Sequence, residues 1–210
     1  MSKQSSKELR QSFKLLRNDF ETAGRWNIPI LKKSDVDITR IQLISSNDIR
    51  IKDQSPNILE TVHFFVDDSR MEKYYGIPES FLSRLAQYHH VLTPDYSLYT
   101  DMPMASQIYN TFKNRWCGAY WQEHGLSVIP TVSWSTDESF EFCFDGLEHE
   151  TVVAVSTVGG LTKKELFLRG YCEMKKRINP KQVLCFGKAF PEMGDEVIMV
   201  DYLETTRRKK

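Results

Sequence analysis

Residues 89–134, HHVLTPDYSLYTDMPMASQIYNTFKNRWCGAYWQEHGLSVIPTVSW, restrict the fold more than any other stretch, because their local signals all agree. Asp101 is placed to accept a hydrogen bond from the free N–H groups of a first helical turn. Pro103 follows where a missing N–H costs nothing, so a helix begins here. Met104, Ile108, Phe112, Trp116 and Ala119 recur at helical spacing and predict a buried side, while Gln107, Asn110, Lys113, Asn114 and Gly118 fall mostly on other faces. Gly125 suits the left-handed conformation just past the helix end, and residues 126–132 form a β-branched run interrupted by Pro130. A helix of this length between two strands lays them parallel through a right-handed crossover. Both strands then end on one edge, with residues 94–97 after the first and residues 133–135 after the second.

The flanking chain repeats this alternation. Residues 61–66 (TVHFFV) read as a buried strand closed by Asp67-Asp68, and residues 78–88 read as a helix leading into Val91. Residues 139–144 (SFEFCF) fit a helix or a strand; the helix is favoured, because the next strand, residues 151–157 (TVVAVST), needs a crossover if it is parallel. Gly159-Gly160 leads into a helix over residues 162–178 with a capping box from Thr162 to Glu165, ended by Asn179-Pro180. Residues 183–186 (VLCF) and residues 196–202 (EVIMVDY) supply two more strands. The pattern predicts an α/β fold, a single domain with a mostly parallel sheet. Two architectures fit it, an open doubly wound sheet or an incomplete (β/α) barrel. The domain is expected over residues 26–203, after a mobile N-terminal end with a short helix at residues 9–20 and before a basic tail at residues 204–210.

Composition narrows the function classes. At 210 residues and 40% hydrophobic content the chain suffices for one well-packed core. A net charge of +0 lacks the electrostatic footprint of a dedicated nucleic-acid binder. Cys117, Cys143, Cys172 and Cys185 form no CxxC pair, which argues against a zinc ribbon or redox dithiol and for free thiols. The histidines are too scattered to read as a ligand set. The polar N-terminus and the lack of any long apolar run predict a protein of the cytoplasm, with no membrane association.

The ordered set HFFVDD, LTPDYSLYTDMP, the helix of residues 107–121, GLSVIPTVSW, VVAVSTVGG and a late VLCFG resembles the family catalogued as domain of unknown function 4417. That family is frequent in bacteriophages and other mobile elements of Gram-positive bacteria. The resemblance covers roughly residues 28–187 and implies one common domain, with no activity, cofactor or catalytic residue attached.

In parallel α/β sheets, ligands bind outside the carboxyl ends of the strands. That rule gathers Asp67, Asp68, Asp95, Ser97, Trp134, Ser135, residues 156–160 and Gly187-Lys188 into one region. Asp67, Asp68 and Asp95 are the candidate catalytic residues, as carboxylates suited to hold a divalent cation such as magnesium or to act as general acid and base. The plain alternative is that Asp67-Asp68 caps the following turn and Asp95 forms an Asx-turn. Ser97, Arg115, Trp134, Thr157, Gly159 and Gly160 are the candidate ligand-binding residues. Gly159-Gly160 would let backbone N–H groups approach a phosphate, although no full phosphate-loop fingerprint is present. Arg115 would pair with an anion, against the simpler expectation that it joins Asn110, Asn114 and Gln122 on a solvated helix face. Two functions follow: binding or hydrolysis of a phosphorylated or otherwise polar ligand at this edge, or a non-catalytic scaffold that binds a host or phage protein.

Overall fold

The computed structural model describes residues 5–6, 17–53, 56–159 and 163–201. The expected helix at residues 9–20, the Thr162 cap, Gly160 and the basic tail lie wholly or largely outside them. A short antiparallel pair, β1 (Thr22–Ala23) and β2 (Ile28–Pro29), precedes the main sheet. The described elements then follow as β3 (Leu43–Ser45), β4 (Thr61–His63), α1 (Asp68–Gly76), α2 (Glu79–Leu85), β5 (His90–Leu92), α3 (Met104–Glu123), β6 (Val128–Ile129), β7 (Val153–Ser156), α4 (Lys164–Ile178), β8 (Val183–Phe186) and β9 (Val197–Val200).

Strands β3 to β6 and β7 to β9 form two parallel sheets, each in chain order. A parallel bridge from Thr131 to Ala154 joins them, with Val132 N–H donating to Ala154 O at 2.8 Å and Ala154 N–H to Pro130 O at 2.8 Å. Pro130 lacks an N–H and so shortens β6 to two residues of ladder. An order without reversal excludes the doubly wound arrangement, which needs a switch point. The sheet must also curl. β4 and β8 stand four places apart, about 19 Å in a flat sheet, yet the rings of His63 and Phe186 lie 5.0 Å apart. The incomplete barrel is the architecture adopted.

Alternation along each strand explains the two cores. Ile44, Val62, Val91 and Val128 face outward onto Met71, Tyr74, Phe81, Leu85, Trp116 and Trp121 of α1, α2 and α3. Val153, Val155, Val183 and Cys185 face α4 through Phe167, Tyr171, Met174 and Ile178. Their neighbours Leu43, Leu92, Ile129, Ala154, Leu184, Phe186 and Val200 meet in a common interior. Ile38, fully buried, closes the end at which the strands begin, held there as its N–H donates to Gln182 Oε1 at 3.4 Å. Phe65 stacks on Phe186 at 4.3 Å toward the other end.

Several expectations need correction. Residues 68–76, read only as a turn, form α1. Residues 139–144 form neither α-helix nor strand: a 3-10 helix over Asp137–Glu141 is followed by the buried residues Phe142, Cys143 and Phe144. Helix α3 begins at Met104 without a side-chain cap, and Asp101 is exposed in the preceding turn. Gly125 does take a left-handed φ of 81° after α3, and Asn179 one of 46° after α4. Among the described residues no helix is long and apolar enough to cross a membrane.

His63 is 2% exposed inside the barrel, and its Nδ1 accepts the Phe65 N–H at 3.2 Å. The proton therefore sits on Nε2, which has no partner among the described residues. Burial pushes its pKa down from 6.5 to about 4. The unfolded chain then gains a proton below pH 6.5 that the folded chain refuses until about pH 4. Relative to His63→Asn, the wild type is expected to lose about 3 kcal/mol of stability between pH 6.5 and pH 4, measured by urea unfolding. Parallel pH profiles for the two proteins would show that the imidazole is solvated.

Candidate functional site

The carboxyl ends of β5, β6 and β7 open onto a cleft of about 250 Å³. Its walls come from three loops and the start of α4. Asp95, Ser97 and Leu98 follow β5; Ser133, Trp134 and Ser135 follow β6; Ser156, Val158 and Gly159 follow β7; and Lys163, Leu166 and Phe167 approach from α4. Trp134 lies against Phe167, with ring centroids 5.1 Å apart, and against Gly170, where a Cβ would come within 2.2 Å of the indole. A helix residue with any side chain would push the indole away from α4, so Gly170 fixes that wall.

Helix α3 holds the loops in place. Gln107 Nε2 donates to Met102 O at 2.8 Å and to Tyr99 O at 3.2 Å, while Gln107 Oε1 accepts from the Ser135 hydroxyl. Asn110 Nδ2 donates to Ser97 O at 2.7 Å, and Asn114 Nδ2 to Pro94 O at 2.7 Å and Thr131 O at 3.2 Å. Arg115 donates to Asn114 Oδ1 and to the carbonyls of Thr131, Cys143 and Asp145. These residues are the polar positions that the sequence places on a solvated face, and the structure corrects that expectation. Gln107 and Arg115 are each 2% exposed, whereas Met104, Ile108 and Phe112 are only half-buried. Loop carbonyls that leave the sheet have no ladder partner, and side-chain amides from α3 replace it. Burial brings the Arg115 pKa down to about 10, which leaves it charged at neutral pH and occupied by backbone oxygens.

The candidate residues separate accordingly. Asp95, Ser97, Trp134 and Gly159 line the cleft together. Asp68 adjoins it as a support, accepting the Ser97 hydroxyl at 2.9 Å and the Ser97 N–H at 3.2 Å. Asp67 points to solvent, its side chain 85% exposed and 3.9 Å from Arg70. Thr157 is buried and its hydroxyl turns away to Phe186 O at 3.4 Å, and Arg115 lies under the loops. Ser133, Ser156, Lys163 and the apolar wall of Leu98, Leu166 and Phe167 complete the cleft. Of these, Lys163 escaped the sequence reading, since a lysine before a helix carries no motif. Among the described residues no group of three histidine, cysteine or acidic side chains gathers to hold a metal ion. The four cysteines are free; Cys117, Cys143 and Cys185 are buried, and burial raises all three thiols.

Asp95 is the unusual group. Its carboxyl accepts no hydrogen bond among the described residues, and its charged neighbour is Asp68, of the same sign. Burial, with the Asp68 charge second, pushes its pKa up to about 7. Charging Asp95 thus opposes folding from about pH 4 upward, with the full cost present above pH 7. Asp95→Asn is expected to raise Tm by an amount that grows from pH 4 to pH 8; a lower Tm at pH 8 would mean that the carboxylate has a partner. Asn114→Ala, which strips Pro94 O of its donor, takes one of two donors from Thr131 O and removes the Asn114 Oδ1 acceptor of Arg115, is expected to cost about 3 kcal/mol in urea unfolding.

Comparison with known proteins places the chain among phage relatives. The family model described as "Domain of unknown function (DUF4417)" matches residues 20–203. The chain is 40% identical over 176 residues to the "Gene 1 protein" of Mycobacterium phage L5, an alignment covering 82% of this chain and 76% of that protein. It is 36% identical over 176 residues to the "Gene 1 protein" of Mycobacterium phage D29, covering 82% of this chain and 64% of the relative. No solved structure matches.

Proposed function

The chain belongs to the family of the domain of unknown function 4417, which attaches no reaction to the fold, and from the site alone we propose that it binds a small polar ligand at the carboxyl ends of β5, β6 and β7. One observation carries the reading: Asp95 stands without a hydrogen-bond partner among the described residues, in a cleft whose loops are held by the Gln107, Asn110 and Asn114 amides of α3. Proteins leave a half-buried carboxyl unpaired at a cost, and such groups concentrate at functional sites. The hydroxyls of Ser133 and Ser156 and the Lys163 ammonium supply polar contacts, while Trp134, Leu98 and Phe167 cover an apolar part of the ligand. A phosphorylated ligand would find its cation in Lys163.

Hydrolysis of the ligand is the further step of the same reading. A carboxyl that exchanges its proton near neutral pH meets the requirement for general acid–base work, and that role falls to Asp95 with Asp68 as its electrostatic neighbour. Asp67 has no part in it, because it faces solvent. A divalent cation would have at most the Asp68 and Asp95 carboxylates here, fewer protein ligands than a dedicated site provides.

The second reading, a non-catalytic scaffold for a host or phage protein, draws on a different feature. Tyr99 and Val158, at 61% and 51% exposure, present apolar surface on the rim of the cleft. The readings differ in thermal shift. Nucleotides, sugar phosphates and amino acids, each screened with and without magnesium, are expected to include one class that stabilises the protein, by about 2.7 kcal/mol at a hundredfold excess over Kd. A flat response to every class overturns ligand binding and leaves the scaffold.

A further inference from the structure

The polar groups of the cleft are not arranged for a simple anion. Most donors on the loops after β5 and β6 and on α3 are committed elsewhere: the Ser97 N–H and hydroxyl to Asp68, the Ser135 hydroxyl to Gln107, the Asn110 amide to Ser97 O, and the Asn114 amide to Pro94 O and Thr131 O; the Ser133 and Ser156 hydroxyls are left to the cleft. No cation reaches the Asp95 carboxyl among the described residues, and Asp68 adds a second negative charge beside it. The end of the cleft at Asp95 therefore gives that carboxyl no donor among the described residues and carries excess negative potential. A bound phosphate or carboxylate at that end would meet like charge.

The rim contributed by α4 has the opposite character. Lys163 makes no ion pair among the described residues, and its Nζ donates only to the Thr100 hydroxyl, at 2.8 Å. That contact joins α4 to the loop after β5 across the mouth of the cleft. A neutral hydroxyl is a weak partner for an ammonium, and an anion placed there would replace it with a charge-assisted hydrogen bond. Asp137 and Glu192 are engaged by other cations: Asp137 pairs with Arg169 at 3.3 Å, and Glu192 with Lys164. One cleft is thus lined by an unpaired carboxyl and by an ammonium whose partner is a neutral hydroxyl, with Trp134, Phe167 and Leu98 as its apolar wall.

We propose, resting on the ligand-binding reading above, that the ligand is dipolar: a protonated amine or an amidine-type N–H pair seated on Asp95, an apolar or flat body against Trp134, and a carboxylate or phosphate on Lys163. A volume of about 250 Å³ limits it to metabolite size. Two sources offer this chemistry: an α-amino acid, whose ammonium and carboxylate share one carbon and whose large side chain is the body, and a nucleoside monophosphate whose base edge carries two N–H donors and whose phosphate stands at its far end.

The test uses the full chain and isothermal titration with four probes: L-phenylalanine, guanosine monophosphate, inorganic phosphate as the anion alone, and ethylamine as the amine alone. One of the two dipolar probes is expected to bind at least tenfold more tightly than either single-charge probe, and which one binds identifies the source. Asp95→Asn, a substitution expected to stabilise the fold, should weaken that probe at least tenfold, and Lys163→Met, at an exposed position, should weaken it by a similar factor. If inorganic phosphate binds as well as the dipolar probes, or if Asp95→Asn binds as tightly as the wild type, the dipolar assignment is wrong while ligand binding at the cleft stands. If no probe binds and the broader screen is also flat, both readings fall together.

Discussion

A parallel sheet whose strands follow one another in chain order has to curl, and everything else in this protein depends on that constraint. Successive right-handed crossovers place every helix on the same side of the sheet. The other side would be an apolar face open to water, so the strands bend it inward until residues of β4 and β8 touch. Burial on both faces explains why VVAV and VLCF read as unbroken apolar runs: Val153 and Val155 look outward to α4, while Ala154 looks inward to Leu184. The curl also fixes where chemistry can occur. Ile38 fills the end where the strands begin, and Phe65 with Phe186 fills the interior toward the other end. Among the described residues, the cleft above β5, β6 and β7 lies to one side of the carboxyl-terminal mouth.

A cleft there needs rigid loops, and loops leave carbonyls without ladder partners. Helix α3 resolves this with side chains that, on hydropathy alone, belong in water. Gln107, Asn110 and Asn114 recur at spacings of three and four residues and so share a face, which is turned toward the loops after β5 and β6. Arg115 reaches further, to the carbonyls of Cys143 and Asp145, and so ties in the irregular connection that replaces a crossover helix between β6 and β7. A charge held this way is strongly coupled to the fold, since its removal would leave several carbonyls and a cavity behind.

What the sequence made legible was local, and what it hid was set by tertiary partners. The β5–α3–β6 unit was readable because Pro103, Gly125 and the apolar spacing of α3 are all near in sequence. Helix α1 was not, since DSRMEKYYG buries only Met71 and Tyr74 and shows too short an apolar stripe to distinguish from a turn. Residues 139–144 were ambiguous for a sound reason: their aromatic side chains satisfy either period, and the 3-10 turn they adopt follows from packing against α4 and Arg115. The strand-end rule located Asp95, Ser97, Trp134 and Gly159 because parallel geometry converts sequence position into place. It misplaced Asp67 because one residue along a helix start turns the side chain from the cleft to solvent, and adjacency in sequence does not encode that rotation.

Asp95 shows how far a site can be read from what the fold declines to satisfy. Elsewhere Tyr96 donates to Met71 O and Tyr74 to Ser46 O, while His63 Nε2, the Trp116 and Trp121 indoles and Asp145 Oδ2 stand without hydrogen-bond partners among the described residues, none of them lining the cleft. An asparagine at position 95 would keep the shape and remove the charging cost, and a serine would keep a polar loop without one. Neither stands there. Instead the chain keeps a carboxyl beside Asp68, directs Ser97 to Asp68, and commits Asn110 and Asn114 to the carbonyls of Ser97, Pro94 and Thr131. Turning one of those amides to Asp95 would leave a buried carbonyl unpaired, so the loops and the carboxyl compete for the same donors and the loops prevail. A ligand that brings its own donors would relieve Asp95 without that exchange, which is the physical content of the proposed site.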